Sequence, residues 1–202
     1  YMGYARQDRE FLSGEIITLS VIAKLLVAAG ASKIIVVDAH STLGLKHFEI
    51  PIKNVSAVPE LASYFRRLRL KHPLVVSPDS GGKERAAEFA KHYGTEYIAL
   101  VKNRDRKTGK VKIISASLDS VRGRDLILVD DMISTGGSIV KAAQFLKRQK
   151  CGKIYVACTH ALLIDSAGKK IKRAGVSAII SSNTIPGNTS IVDVSGVIAK
   201  AI

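Results

Sequence analysis

Two adjacent carboxylates, Asp130 and Asp131, are followed two residues later by the run Ser134, Thr135, Gly136, Gly137 and Ser138. No other stretch of the 202-residue chain concentrates as much chemistry. The aliphatic residues before the acids, 126–129, predict a buried strand, and residues 139–149 predict a helix. Glycines between the two let the backbone turn so that several N–H groups converge, and the helix amino terminus adds partial positive charge. Thr135 and Ser138 contribute hydroxyl donors. That combination suits a phosphate monoester. The acids repel a phosphate and suit sugar hydroxyls instead, or a metal held by those hydroxyls. Phosphate and diol recognition side by side point to a pentose phosphate. A merely N-capped helix needs a Ser or Thr, but neither the acid pair nor Gly-Gly.

Asp79-Ser80-Gly81-Gly82 forms a second small-residue turn, between a predicted strand at 74–77 and a predicted helix at 83–93. Its backbone can hold a diphosphate and Asp79 can reach a cation, although Pro-Asp-Ser-Gly is also an ordinary turn signal. The tract KNRDRKTGKVK at 102–112 reads as a charged hairpin. It is either a solvated loop or a basic lid that neutralises a transferring phosphoryl group. His40, just after Asp38 at a strand end, suits a metal, a phosphate or a purely structural role. His47, His72 and His92 read as surface or packing residues, and His160 stays open.

These residues need a scaffold, and the apolar periodicity supplies one. Helical patterns at 18–29, 59–69, 83–93, 139–149 and 166–174 alternate with short strand runs at 33–37, 74–77, 96–101, 111–116, 126–129, 154–159, 178–181 and 191–194. Alternation of this kind predicts an α/β fold with a parallel, doubly wound sheet, whose ligands bind at the carboxyl ends of the strands. IIVVDAHST at 34–42 echoes ILVDDMIST at 127–135, which suggests a duplicated half with a boundary near 58–73.

Composition narrows the function classes. Hydrophobic residues make up 47% and aromatics 5%, so the core is aliphatic. No apolar run reaches the ~20 residues of a membrane span. Cys151 and Cys158 lack the spacing of a disulfide framework or zinc site, and a reducing cytoplasm fits them. The net charge of +14 reads as a solvated basic surface or as steering of small polyanions. Nucleic-acid binding ranks behind both, because the basic clusters lack interleaved aromatics.

The acid-acid-aliphatic run with Thr-Gly-Gly-Ser resembles the loop of type I phosphoribosyltransferases. YARQDR at 4–9, VDAHS at 37–41, SPDSGG at 77–82 and NTIP at 183–186 occur in the same order in ribose-phosphate diphosphokinases of archaeal type. The resemblance spans essentially the whole chain. It implies two related phosphoribosyltransferase-like halves, each a mainly parallel sheet flanked by helices, divided here as 1–58 and 59–202. It implies transfer of the diphosphoryl group of ATP to the anomeric hydroxyl of ribose 5-phosphate, giving phosphoribosyl diphosphate and AMP, with Mg²⁺ required. By resemblance, Arg6, Gln7 and His40 contact ATP, and His40 and Asp79 are linked to Mg²⁺. Lys102 and Arg104 stabilise the transferring group, Arg104 also contacting ribose 5-phosphate. Asp130, Asp131, Ser134, Thr135, Gly136, Gly137 and Ser138 hold that sugar. A homo-oligomer is expected, as is a segment ahead of YARQDR that supplies part of the adenine pocket.

Two departures stand out. Ser134 occupies a position where the family commonly carries a third acid, and no Gln-rich continuation follows His40. The alternatives are a nucleobase phosphoribosyltransferase, which uses the same loop, and a non-catalytic synthase-associated subunit, which is expected to lose lid or acidic residues.

Overall fold

The computed structural model describes residues 1–104, 111–114 and 118–202. Those residues form two compact units, one of Tyr1–Ala57 with Val194–Ile202 and one of Val58–Asp193.

The first unit contains α1 (Thr18–Ala28), β1 (Ile34–Val37) and β2 (Ile52–Val55). β1 and β2 pair in parallel, Ile34 opposite Ile52 and Val37 opposite Val55. Leu19, Ala23 and Phe48 form its small core, joined by Met2, Leu26, Ile34 and Ile52. β2 was not anticipated, because IKNV alternates too briefly to register as a strand by pattern alone. Asp38 ends β1 at a φ of 42°, and its Oδ2 accepts from the Ala57 N–H at 3.0 Å. This acid therefore closes the chain around β2, whereas the acids of the echoing segment lie within a strand.

The second unit contains α2 (Val58–Arg66), β3 (Leu74–Ser77), α3 (Lys83–Tyr93), β4 (Tyr97–Ala99), β5 (Val101–Arg104), β6 (Val111–Ile114), β7 (Leu126–Ile133), α4 (Gly137–Arg148), β8 (Ile154–Ala161), α5 (Ala167–Arg173), β9 (Val176–Ser182) and β10 (Ser190–Val192). A short helix, α6 (Ser195–Ala199), belongs to the first unit. Six strands form one sheet in the order β10-β9-β8-β7-β3-β4, with every pairing parallel. This is the parallel, helix-flanked α/β sheet expected of alternating elements.

Each helix buries a stripe at its own period. In α4 the buried residues are Ile139, Ala142, Ala143 and Leu146, and in α2 they are Val58, Leu61, Ala62 and Phe65, the i, i+3, i+4, i+7 spacing of one helical face. The α4 and α5 stripes pack with Leu74, Val76, Leu126, Leu128, Ile154 and Val156. On the α2 and α3 side, Phe65 meets Phe89 edge-to-face at 5.6 Å and Tyr155 at 6.4 Å. The sheet is thus covered on both faces, which is why its strands read as unbroken aliphatic runs.

The stretch expected as a single strand at 96–101 divides into β4 and β5. β5 leaves the main sheet and pairs antiparallel with β6, Val101 opposite Ile114 and Arg104 opposite Val111. The expected hairpin tip, 105–110, lies outside the described residues.

Asp125 holds the amino edge of the central strands. Its Oδ2 accepts from the Lys71 N–H at 2.9 Å and its Oδ1 from the Lys153 N–H at 2.8 Å. One carboxylate thereby aligns the chain entering β3 and the chain entering β8 on either side of β7. Asp125→Ala removes two charge-assisted acceptors and is expected to destabilise the fold by about 2 kcal/mol, read as a lowered urea midpoint with an unchanged slope.

Candidate active site

β7 and β3 are neighbours, with Val76 opposite Leu128. The chain leaves β3 toward β4 on one side and leaves β7 toward β8 on the other. Their carboxyl ends therefore border the point where winding direction reverses, which is where open α/β sheets form ligand crevices. Both turns singled out above, 79–82 and 134–138, lie at this edge.

The acid pair does not sit in the turn, as the sequence suggested, but inside β7. The strand continues to Ile133 because β8 extends beside it, with Asp130 opposite Cys158, Met132 opposite His160 and Ile133 opposite Ala161. Both acids are thus held by the ladder itself. The two acids differ in exposure, the Asp130 side chain being 21% exposed and that of Asp131 4% exposed. Asp130 Oδ1 accepts from the Asp131 N–H at 3.0 Å.

Arg85, in the first turn of α3, reaches both acids, its Nη1 standing 3.6 Å from Asp131 Oδ1 and 3.9 Å from Asp130 Oδ1. Sequence reading missed it. The sequence offered only a cation three residues past Gly82; that it meets the acids follows from the β7-β3 strand order. The Asp130 carboxyl is pushed up to about 8, first by burial, then by the charge and hydrogen bonding of Asp131, with Asp79 adding to the rise and Arg85 opposing it. Cys158 lies beneath, its Sγ donating to the Asp131 carbonyl at 3.6 Å, and burial holds its thiol well above the usual range. It is a core residue.

Beyond Ile133 the chain turns through Ser134 and Thr135 to Gly136, which has a φ of 75°. A Cβ at Gly136 would stand 2.9 Å from Ile171 Cδ1 and 3.4 Å from Ala167 Cβ. Glycine is needed there twice over, for the left-handed backbone and for the close approach to α5. α4 then begins at Gly137, and its first-turn N–H groups have no helical acceptors. Thr135, Gly137 and Ser138 are exposed, while Ser134 is half-buried. The result is a cradle of backbone donors one turn past two carboxylates.

At the neighbouring strand end, Asp79 Oδ1 accepts from the Gly81 N–H at 3.1 Å, and Ser77 Oγ donates to the Asp79 carbonyl at 2.6 Å. A Cβ on Gly82 would meet Ser77 Oγ at 2.7 Å. Both bonds fold this turn tightly at the head of α3. Lys102 and Arg104 belong to β5, whose backbone alone is described.

The remaining expected residues belong to the first unit. Arg6 and His40 are exposed. Gln7 Oε1 accepts from Thr18 Oγ1 at 2.6 Å, which fastens the 4–9 segment to the start of α1. His47 also fits its packing role, Nε2 meeting the Asp8 carbonyl at 2.9 Å. His160, left open above, is 2% exposed in the second unit. Its Nδ1 is 2.8 Å from Thr184 Oγ1, which donates to the Thr159 carbonyl at 2.9 Å. This network seats the NTIP segment on the ends of β8 and β9.

Comparison with known proteins agrees with this geometry. A family model described as the phosphoribosyl synthetase-associated domain matches residues 50–202. The chain is 41% identical over 203 residues to a ribose-phosphate pyrophosphokinase of Methanopyrus kandleri, covering all of this chain and 69% of that protein. It is 37% identical over 205 residues to the ribose-phosphate pyrophosphokinase of Sulfurisphaera tokodaii, covering 100% and 70%. Among solved structures, phosphoribosylpyrophosphate synthetase from Mycobacterium smegmatis superimposes with a TM-score of 0.84 at 28% identity, covering 100% of this chain and 67% of that one. An APRTase from Giardia lamblia shares the fold at a TM-score of 0.51 and 18% identity, covering 62% and 76%.

Two outcomes test the site as built. Gly136→Ala meets both the left-handed backbone and Ile171, and is expected to cost about 2–4 kcal/mol in urea denaturation. Asp130 keeps its proton to a higher pH when folded than when unfolded, so its contribution is neutral below about pH 4 and increasingly destabilising from there to about 8. Asp130→Asn removes that dependence. Its stability relative to the parent is expected to rise between pH 5 and 8, by on the order of 3 kcal/mol, measured as urea midpoints across the range.

Proposed function

The chain belongs to the ribose-phosphate pyrophosphokinase family, and from that premise we propose how its residues divide the transfer of a diphosphoryl group from ATP to ribose 5-phosphate. The observation that carries the assignment is the juxtaposition at one sheet edge of the β7 acids, the cradle that opens α4 and the Asp79 turn beside them.

Ribose 5-phosphate lies along the carboxyl end of β7. Its phosphate takes the N–H and hydroxyl groups of Ser134, Thr135, Gly136, Gly137 and Ser138, and its ring hydroxyls donate to Asp130 and Asp131. Asp130 is the more accessible of the two and makes the principal contact. Ser134 extends the phosphate cradle, so the diol depends on two acids. The 5-phosphate and the diol together aim the anomeric hydroxyl away from the cradle, toward the Asp79 turn. Arg6, Gln7 and His40 contact ATP.

In the transfer, a bond forms between the anomeric oxygen and the β-phosphorus of ATP. The bond from that phosphorus to the bridging oxygen of the α-phosphate breaks, AMP leaves, and the anomeric proton is lost to solvent or buffer. No covalent enzyme intermediate is needed, because phosphoryl transfer asks chiefly for alignment and charge neutralisation. Lys102 and Arg104, on β5 directly after β4, supply the neutralising charge, and Arg104 also reaches the sugar phosphate.

The donor set fits Mg²⁺ brought with the nucleotide. Among the described residues, no group of three His, Cys, Asp or Glu side chains is placed to cage a metal. Mg²⁺ is ordinarily held by one or two carboxylates together with substrate phosphates and water. Asp79 supplies the hard oxygen, and the imidazole of His40 suits the water shell or a phosphate. An ion held by Asp79 would draw charge from the phosphate oxygens.

A homo-oligomer is the proposed working form. The exposed apolar side chains Phe11, Leu12, Ile16 and Leu25 of the first unit support it. Among the described residues no helix is long and apolar enough to cross a membrane, and the free thiols of Cys151 and Cys158 suit a reducing cytoplasm.

The full-length protein incubated with ATP, ribose 5-phosphate and Mg²⁺ is expected to form AMP only when the sugar phosphate is present. AMP release independent of it, or none at all, sinks the assignment. Lys102→Ala is expected to lower turnover roughly 100-fold or more while leaving ribose 5-phosphate binding within about twofold; an unchanged rate removes Lys102 from the chemistry.

A further inference from the structure

Arg85 has no part in the scheme above, yet its placement is specific. It enters from α3, an element on one face of the sheet, and its side chain is 19% exposed beside the two acids at the strand end. Its distances of 3.6 and 3.9 Å to Asp131 and Asp130 are too long for hydrogen bonds. The contact is therefore electrostatic and leaves each carboxylate's geometry to β7.

Two carboxylates adjacent in sequence, in a partly dry site, resist carrying two charges together. A protonated carboxyl loses half of its capacity to accept sugar hydroxyls, because one oxygen becomes a donor. We propose that Arg85 is a positioning residue for ribose 5-phosphate, the counter-charge that keeps Asp130 and Asp131 available as acceptors for the ribose diol. This rests on the assignment of the diol to those acids. Among the described residues, the groups that bear on Asp130 are Asp131 on its own strand, Asp79 at the end of β3, Cys158 on β8 and Arg85 on α3. Among the described residues, Arg85 is the cation that favours the ionised form of Asp130, beside the Asp131 N–H that donates to its Oδ1. Its guanidinium stays charged throughout the range in which the acids titrate, so it acts as a fixed bias.

Binding of ribose 5-phosphate alone, without nucleotide or Mg²⁺, distinguishes this role from a structural one. Calorimetric titrations from pH 7 to 10 lie above the second ionisation of a phosphate monoester, near pH ~6, so the sugar's own charge is constant. The parent is expected to bind more tightly as pH rises through the Asp130 transition. In Arg85→Met the midpoint of that rise is expected to move up by about one unit, with affinity near pH 7.5 roughly tenfold weaker. Arg85→Lys is expected to recover most of the loss, and Arg85→Gln replaces the Met variant should the latter not fold. A folded neutral variant with the parental midpoint overturns the role of Arg85. Asp130→Asn separates the two levels of the argument. If it binds like the parent, the diol assignment itself fails; if it binds weakly while neutral Arg85 variants keep the parental midpoint, only the counter-charge role fails.

Discussion

Placing two carboxylates side by side at the end of a central buried strand is the constraint around which the second unit is arranged. Burial and mutual repulsion both oppose their ionisation, and Asp130 shows the result in a carboxyl pushed up to about 8. Such a pair persists only if the surrounding backbone gives it no freedom to separate. β7 supplies that rigidity. It is paired on both sides, with β3 through Leu128 and with β8 as far as Ile133, so the acids are held by ladder hydrogen bonds. A loop could relieve the repulsion by turning one side chain outward. A strand held by β8 cannot.

The rest of the site follows from the same strand. The pair does not present two equal carboxylates, as exposures of 21% and 4% show, although both stand within 4 Å of Arg85 Nη1. The fully extended chain also delays the turn to Ser134 and Thr135, which leaves little room before α4 must begin. Gly136 resolves this with a left-handed conformation packed against Ile171. Cradle and acids are therefore one construction in which strand length sets how far the cradle stands from the carboxylates.

The parallel sheet, its helices and the placement of both small-residue turns at strand ends were all legible in the sequence, because aliphatic runs alternating with 3.6-period stripes leave few other folds. What was not legible depended on partners distant in the chain. Residues 130–133 carry two acids and no strand signal of their own; they are extended because β8 runs alongside them. β2 is equally short and ambiguous, and forms because β1 offers it an edge. Arg85 looked like one charge among many on α3. Its meaning comes from the sheet order β7-β3, which sets the start of α3 beside the acids, and no local pattern encodes that adjacency. Residue types and spacing located the acids and the cradle, and the resemblance to a family agreed with them, but a cation outside the motifs had to be found by geometry.

This bears on how the departure at Ser134 is read. A third acid at that position would add negative charge to a strand end already crowded by Asp79, Asp130 and Asp131, whose mutual influence is seen in the raised Asp130 carboxyl. Serine there is half-buried and adds a neutral hydroxyl donor at the mouth of the phosphate cradle. The exchange removes repulsion toward an anionic ligand and lightens the load on Arg85, at the expense of one potential acceptor for sugar hydroxyls or for the water shell of an ion. Asp130 and Asp131, fixed in β7, remain as two acceptors beside the cradle. Serine at this position thus leaves the strand end with less negative charge beside the cradle.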